Sequence, residues 1–222
     1  GLYLPPLPQH LPVDKQYLGD LDAVPTASVI HTPDTEFGDM HLIEISRGCA
    51  RGCRFCMAGY LCRPKRERSV ELLIDLAREG LQHVERVGLV GAAVSDYSRI
   101  DELVTHLRGL DARISVSSLR VDPLSDPLLA ALAESGTQTL TLAPEAGSER
   151  LRRLIHKGVT EADLAHAVER ADQFGFRRLK LYFMLGLPTE KEEDVAAIAV
   201  LCEATAARFS GRVTANVTPF VP

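Results

Sequence analysis

The sequence lacks long apolar runs and any excess of positive charge. No window of its 222 residues approaches the roughly 18 to 20 apolar residues that span a bilayer, and residues 1–40 contain no basic, apolar and small-residue signal pattern. The net charge of -5 argues against a general polyanion binder, although a local basic patch leaves nucleic acid open as a less favoured partner. We therefore expect a cytoplasmic protein without a membrane partner.

Cysteine is also scarce. The chain has five, and three of them crowd into the segment CARGCRFC at residues 49–56. This crowding suits metal ligation in a reducing compartment better than a secreted disulfide framework. The start at Gly1, in a proline-rich run, predicts a linker or N-terminal extension over residues 1–40. Residues 41–222 then form one core domain, and we expect the chain to be an excerpt of a longer protein.

Short apolar runs alternate with helical patterns from residue 41 onward. The sequence shows neither a short-period repeat nor the G-x-G-x-x-G fingerprint of a dinucleotide-binding sheet. Strands too apolar to have a solvated face, separated by helices, predict an α/β fold with parallel strands. We favour a partial (βα)6 TIM-like barrel over an open doubly wound sheet. The predicted strands are HLIEI, RVGLVG, RISVSS, QTLTLA, LKLYFML and VTANVTPF.

Capping residues predict where the helices begin. Ser69 is a candidate N-cap, and Pro127 a candidate first helical residue. Thr160 with Asp163, and a Thr189–Glu192 capping box, predict the starts of two further helices.

The cysteine loop follows the first predicted strand. It therefore lies at the C-terminal edge of the strands, where α/β folds place their sites. One hypothesis is a zinc site completed by Cys62 or a histidine, in a non-catalytic module that binds RNA or protein through RPKRER. The other is a four-iron four-sulfur (4Fe-4S) cluster held by Cys49, Cys53 and Cys56, which leaves one iron open to a small molecule.

The C-x-x-x-C-x-x-C spacing, with Phe55 before the third cysteine, resembles the radical S-adenosylmethionine (radical SAM) enzymes. The resemblance covers residues 41–222. It implies that the open iron chelates S-adenosylmethionine, whose reductive cleavage gives a 5'-deoxyadenosyl radical or supports methyl transfer. It also implies a reductant, such as flavodoxin or ferredoxin, and a substrate that the sequence does not name.

The longer pattern is similar to the subgroup shared by methylthiotransferases and radical proteins with an upstream cobalamin-binding domain. Its segments are RGCRFCMAG, RPKRERS, LAPEAGSERLRRLIHKG and LKLYFMLGLPTE. The cobalamin motif D-x-H-x-x-G is absent, so cobalamin, if used, would be bound by a domain outside this chain. Methylthiotransferase-like modification of RNA or protein is the alternative, but it would need a second cluster, and only Cys62 and Cys202 remain.

The resemblance also implies cofactor contacts beyond the cysteines, although it assigns no catalytic residue. They are Phe55, Gly91, Ser118, Arg120, Glu145 and Gly186. Four of them have an alternative interpretation: Glu145 as a solvated loop acid or a partner of Arg150, Arg120 as a surface residue near Asp122, and both glycines as plain turns. Ser117 is as good a candidate as Ser118, and Gly91 departs from the family's GGE-like stretch.

Other polar residues have a simple structural interpretation. We expect Asp96 to stay out of the site, and His156 and Lys157 to interact only with the carbonyl end of a helix. The RPKRERS run is expected to be solvated. Cys202 is expected in the core, and the role of Cys62 is open.

Overall fold

The computed structural model describes residues 15–221, and most of the prolines of the predicted linker lie outside that range. The strands are β1 (Met40–Glu44), β2 (Ser46–Arg47), β3 (Arg66–Glu67), β4 (Arg86–Val90), β5 (Arg113–Ser115), β6 (Thr139–Glu145), β7 (Arg178–Leu185) and β8 (Arg212–Pro219). The helices are α1 (Ala58–Leu61), α2 (Val70–Gly80), α3 (Ile100–Gly109), α4 (Asp126–Glu134), α5 (Glu149–Leu154), α6 (Glu161–Gln173) and α7 (Glu192–Ala206). A short 3-10 turn spans Val94–Asp96.

The strands form two parallel three-stranded sheets, ordered β1-β4-β5 and β6-β7-β8. A parallel bridge between Leu119 and Leu142 joins them, and the Leu119 N–H donates to the Thr141 carbonyl at 3.0 Å. Six parallel strands thus make a partial barrel that stays open over the described residues. The predicted α/β fold is confirmed. The third predicted strand is shorter than expected, because RISVSS leaves the sheet after Ser115.

Burial alternates along the strands. Ile43, Val87, Ile114 and Leu179 are buried on the outer face, against helices such as α2, α3 and α4. The inner face of the barrel carries side chains that are partly exposed, and some on β7 are charged, for example Lys180. The expectation that the strands are too apolar for a solvated face is therefore wrong. Only one face of each strand is covered by helices, and the barrel is open on the other.

Two of the four predicted helix starts, Ser69 and Thr160, are confirmed. The Ser69 hydroxyl accepts from the Leu72 N–H at 3.3 Å, and Thr160 forms its capping box with Asp163. The Thr189–Glu192 box is wrong.

Helix α7 begins two residues later than that box requires. Asp194 accepts from the Lys191 N–H at 2.9 Å, and Thr189 has a positive φ of 63° in the preceding turn. Asp194, which is 4% exposed, caps the helix in place of the exposed Glu192. Pro127 is the second rather than the first residue of α4.

The basic run RPKRERS is not uniformly solvated. Arg68 is 2% exposed and donates to the carbonyls of Glu44 (2.8 Å) and Val24 (3.0 Å) and to the Glu44 carboxylate (2.8 Å). Within residues 1–40, Leu21 is 1% exposed and Ala27 pairs with Ile43. The guanidinium thus fastens part of the N-terminal segment to the barrel. The domain boundary at residue 40 stays a prediction.

Candidate active site

The three cysteines of the loop lie just past β1 and the short β2 strand. Cys53 is buried, Cys49 and Cys56 are partly buried, and all are free thiols. The Cys56 N–H donates to the Cys53 carbonyl at 3.1 Å, and the Arg51 N–H points to the Cys49 sulfur at 3.4 Å. The prediction that the loop lies at the C-terminal end of the first strand is confirmed.

Two glycines allow this loop to fold back on itself. Gly48 has a φ of +86°, and a Cβ there would lie 2.0 Å from the Cys62 carbonyl oxygen. A Cβ on Gly59 would lie 2.6 Å from the Arg51 carbonyl oxygen. Only glycine tolerates both the positive φ and the close backbone approach at residue 48. The path of the cysteine loop therefore depends on residues that are not ligands.

The cysteine loop is also held from the other half of the molecule. The Arg54 backbone N–H donates to the Ile155 carbonyl at 2.9 Å, and its side chain donates to the Leu154 carbonyl at 2.8 Å. His156 Nδ1 lies 3.1 Å from the Gly52 carbonyl oxygen. His156 thus does more than end a helix, as the sequence had suggested. It contacts the loop that carries the cysteines.

A chain of contacts connects Cys53 to Glu145. The Arg120 guanidinium lies 3.9 Å from the Cys53 sulfur and donates to the Lys157 carbonyl at 2.9 Å. Lys157 Nζ in turn donates to the Glu145 carboxylate at 2.9 Å. The structure therefore brings together three of the predicted site residues. Arg120 also contacts the Asp122 carbonyl, at 3.3 Å, but it is not the plain surface residue of the alternative interpretation.

Lys157 lies beside the predicted site residues, although its sequence position predicted only a contact with the end of a helix. Its side chain is only 6% exposed, and it forms an ion pair with Glu145, whose side chain is 16% exposed. Its Nζ also lies 5.8 Å from the centroid of the Phe55 ring, a distance at which a cation is attracted to an aromatic face. The helix-end interpretation of Lys157 is therefore wrong. The signal available was its position two residues beyond the apolar pair Leu154 and Ile155.

Phe55 joins the cysteine loop to the second half of the barrel. It packs against a small apolar cluster apart from the main core, formed by Ala146, Leu151, Ile155 and Leu187. Three of these residues belong to the segment that begins at Glu145. Packing on this cluster keeps the loop close to the end of β6.

Glu145 ends β6 in an unusual backbone conformation. Its φ is +72°, and the register between β6 and β7 shifts so that Glu145 pairs with Phe183. A non-glycine residue in the left-handed region costs free energy and often marks a constrained site. Arg150 is not its partner. It bonds instead to Asp194, and this contact holds the pKa of that carboxyl at about 2.

A buried arginine holds the segment that follows Glu145. Arg152 is 0% exposed and donates to the carbonyls of Ala146 (3.1 Å), Gly147 (2.7 Å) and Val159 (2.9 Å). Its burial lowers the pKa of the guanidinium from the usual value. Because three main-chain carbonyls converge on one cation, the turn that carries Glu145 and the turn that carries Lys157 are held together.

Three predicted cofactor contacts lie outside this chain of contacts. Gly91 follows β4, and a Cβ there would meet the Ser46 hydroxyl at 2.8 Å, so close approach explains the glycine. Ser118 is exposed and has no side-chain hydrogen bond within the described residues. Gly186 has a φ of +85°, and its N–H donates to the Glu190 carboxylate at 2.6 Å. For these three residues, contact with a cofactor stays a prediction.

Asp96 contacts the cysteine loop, although the sequence analysis placed it elsewhere. Its carboxylate forms two hydrogen bonds of 2.8 Å each with the Arg51 guanidinium. This bidentate contact raises the pKa of Arg51. Asp96 therefore supports the loop from the β4 side, in the same way that His156 supports it from the α5 side.

The remaining cysteines lie apart from the site. Cys202 packs against the main core, as expected, and burial raises the pKa of its thiol. Cys62 is exposed at the end of α1.

The donor set of the loop fits an iron–sulfur cluster better than a single zinc ion. Within residues 15–221, no three Cys, His, Asp or Glu side chains converge as one metal ion requires. In an iron–sulfur cluster, by contrast, the thiolates bind different irons and need not meet at one point. The Arg120 guanidinium and the Arg51 N–H that face two of the sulfurs suit an anionic cluster.

None of the helices in the described part of the chain is both long and apolar enough to span a membrane.

Known proteins similar to this chain agree with these features. The model of a family described as the radical SAM superfamily matches residues 43–202. An uncharacterized protein of Methanocaldococcus jannaschii is 42% identical over 198 residues, which are 87% of this chain and 44% of the relative. The chain thus spans less than half of that relative.

One further relative and one solved structure extend the comparison. The tRNA-2-methylthio-N(6)-dimethylallyladenosine synthase of Jannaschia sp. is 27% identical over 75% of this chain and 39% of its own length. The structure of the cobalamin-dependent S-adenosylmethionine radical enzyme OxsB superposes with a TM-score of 0.62. It has 16% sequence identity, and the match covers 78% of this chain and 27% of OxsB, so this likeness shows the fold alone.

Proposed function

The chain belongs to the radical SAM superfamily, and from this premise we propose that Cys49, Cys53 and Cys56 hold a 4Fe-4S cluster to which S-adenosylmethionine binds. The observation that carries the proposal is the contact chain from Cys53 through Arg120 and Lys157 to Glu145. When bound, the reduced cluster supplies the electron for reductive cleavage of S-adenosylmethionine, which starts radical chemistry on the substrate.

The residues around the loop have separate tasks in this proposal. Arg120 faces the sulfur of Cys53 and provides positive charge beside an anionic cluster. Lys157 neutralises Glu145 and fixes the direction of its carboxylate, whose remaining lone pairs can accept from the ribose hydroxyls of the cofactor. The positive φ of Glu145 turns the chain at the strand end, where a ligand would lie. In this proposal, the side chains of the protein therefore bind and orient the cofactor.

Membership of the radical SAM superfamily favours an enzyme over a non-catalytic zinc module. Methylthiolation of RNA is the second candidate function, favoured by the likeness to a tRNA methylthiotransferase. Besides the three loop cysteines, this chain contains only Cys62 and Cys202. A second cluster would therefore need ligands from outside this chain. We rank it below radical chemistry on an unassigned substrate, in which cobalamin, if used, is bound by another domain.

Five free thiols suit a reducing compartment, so we keep the cytoplasm as the expected location and flavodoxin or ferredoxin as the reductant.

Anaerobic reconstitution tests the proposal. Iron, acid-labile sulfide and zinc are quantified after incubation with iron and sulfide, and the reduced protein is then assayed for cleavage of S-adenosylmethionine. We expect about four irons and about four sulfides per chain, the content of one such cluster. Stoichiometric zinc without sulfide would refute the cluster.

A further inference from the structure

We propose that the inner face of β7 and β8 binds an anionic group of the substrate, with Lys180 at its centre. The proposal deepens the proposed function and rests on it, because it takes the inside of the barrel as the substrate chamber. The cations concerned are Arg178, Lys180 and Arg212, which we name the inner cation cluster.

The sheet register places these cations on one face. Leu179 and Leu181 are both 0% exposed on the outer face of β7, so the alternating residues Arg178 and Lys180 point into the barrel. Arg178 is in register with Arg212 on β8. Like charges directly opposite on one face destabilise a sheet. The equivalent pair in the first half, Arg86 and Arg113, has the Glu85 carboxylate 3.6 Å from Arg113. Arg178 and Arg212 have no such carboxylate within residues 15–221, which favours a role in binding.

The cluster has no anionic partner within the described chain. Across residues 15–221, no carboxylate lies within 4.0 Å of any of its three cations, whereas one other strand-start cation does have one. Arg113, at the start of β5, pairs with Glu85 at 3.6 Å. The contact observed for Lys180 Nζ is the Tyr182 ring, with the centroid 5.2 Å away. A ligand anion would supply the missing charge.

Hydroxyl groups flank Lys180 on both neighbouring strands. Thr141 of β6 and Thr214 of β8 are its register partners, and they share its face. A lysine between two threonines offers the hydrogen-bond donors that a carboxylate or phosphate accepts. Phe183 is the register partner of Glu145. Lys180 lies three residues before Phe183 on β7, a distance of ~10 Å along the strand. The anionic group would therefore be held away from the cofactor end of the barrel.

The opposite wall of the barrel is apolar. A cavity of 240 Å³ lies against β1, β4 and β5 and is lined by Met40, Leu42, Leu89 and Val90 among others. The inside of the barrel thus presents an apolar wall facing a cationic one. The substrate class that fits both walls is an amphipathic molecule with an apolar part and one anionic group.

Calorimetric titration of the iron-loaded chain tests this inference with octyl phosphate, octanoate, octanol and inorganic phosphate. We expect both anionic octyl compounds to bind at least about tenfold more tightly than octanol, because hydrogen bonds to charged groups contribute more free energy than those to neutral groups. The tighter of the two identifies phosphate or carboxylate as the group. Octyl phosphate is expected to bind more tightly than inorganic phosphate, because only it reaches the apolar wall.

Variants separate Lys180 from general charge. Lys180→Met is expected to weaken octyl phosphate binding about tenfold, whereas Lys180→Arg retains most of the binding. Arg177→Gln, an exposed cation just before β7, is the matched control and is expected to bind as the unaltered chain does. Equal binding of octanol and octyl phosphate, or an unchanged Lys180→Met, would overturn the inference. The titration requires no cofactor cleavage, so this failure is distinct from failure of the proposed function.

Discussion

The two halves of the barrel are built alike but carry different groups. Each is a parallel three-stranded sheet covered on its outer face by helices. The β1-β4-β5 half carries the cysteine loop and has an apolar inner wall. The β6-β7-β8 half carries Glu145 and the inner cation cluster, and Lys157 follows on its α5 segment. In the proposed function, the first half would hold the redox group and the second half would orient ligands.

Several direct contacts join the halves close to the proposed site, and the main hydrophobic core also includes residues of both halves. The Leu119–Leu142 bridge is next to Arg120, and Arg120 contacts both Cys53 and the Lys157 carbonyl. Arg54 adds two hydrogen bonds from the loop to the end of α5. Because the cysteine loop and Glu145 belong to different sheets, we still expect a substitution in one half to change mainly the property of that half.

The largest effect is expected for Cys53→Ala, which removes a proposed ligand in the first half. Iron content after reconstitution should fall from about four per chain to near zero. The far-ultraviolet circular dichroism should be retained, since one loop ligand is not part of the main core. Cys62→Ala is the matched control and should keep its iron. Loss of the helical signal in Cys53→Ala would contradict the separation of site from scaffold.

Arg152→Met should destabilise the second half. It leaves three carbonyls without their buried cation, so we expect the free energy of unfolding to fall by about 3 kcal/mol. Urea denaturation measures the change. Arg153→Gln, which alters an exposed neighbour whose side chain is 77% exposed, should stay within about 0.5 kcal/mol. Equal effects of the two variants would mean that Arg152 does not hold the segment.

Lys157→Met should separate cofactor binding from cluster binding. Without its cation the Glu145 carboxylate loses its fixed direction, so the affinity for S-adenosylmethionine should fall about tenfold. Equilibrium dialysis of the reconstituted chain measures the affinity. Glu145→Gln should have an effect of similar size, and iron content should be unchanged in both. A loss of iron in Lys157→Met would place this residue in the cluster-binding half.

The smallest effect is a pH dependence of stability that arises in the second half. The hydrogen bond from Arg150 holds the pKa of Asp194 at about 2, below the usual value near 4 of an unfolded chain. Its contribution is thus present above about pH 4 and is lost as the pH falls towards 2. Urea midpoints measured from pH 5 downward should show this loss. Asp194→Asn should flatten it, and an unchanged slope would exclude Asp194 as its source.

The sequence was sufficient for the fold class and for the position of the cysteine loop. Alternating apolar runs and capping residues are local signals, and a cysteine cluster after a strand reaches the functional edge in any parallel sheet. Glu145 and Arg120 could be proposed because each follows a predicted strand and because the family resemblance implies a cofactor contact at each.

Residues that act through distant partners could not be found in this way. The role of Lys157 depends on Glu145, twelve residues earlier, and the burial of Arg68 depends on carbonyls more than twenty residues away. A charged residue in a basic run looks solvated until the carbonyls around it are known. The direction of Arg120 towards Cys53 likewise follows from the joining of two sheets, which no local pattern indicates.

The central claim is that one iron at the cysteine loop is open to S-adenosylmethionine. Electron paramagnetic resonance of the reduced, reconstituted chain, recorded with and without S-adenosylmethionine, tests it most directly. We expect a cluster signal whose spectrum changes when the cofactor is added, because the cofactor becomes a ligand of the open iron. A cluster signal that is identical with and without the cofactor would contradict the claim.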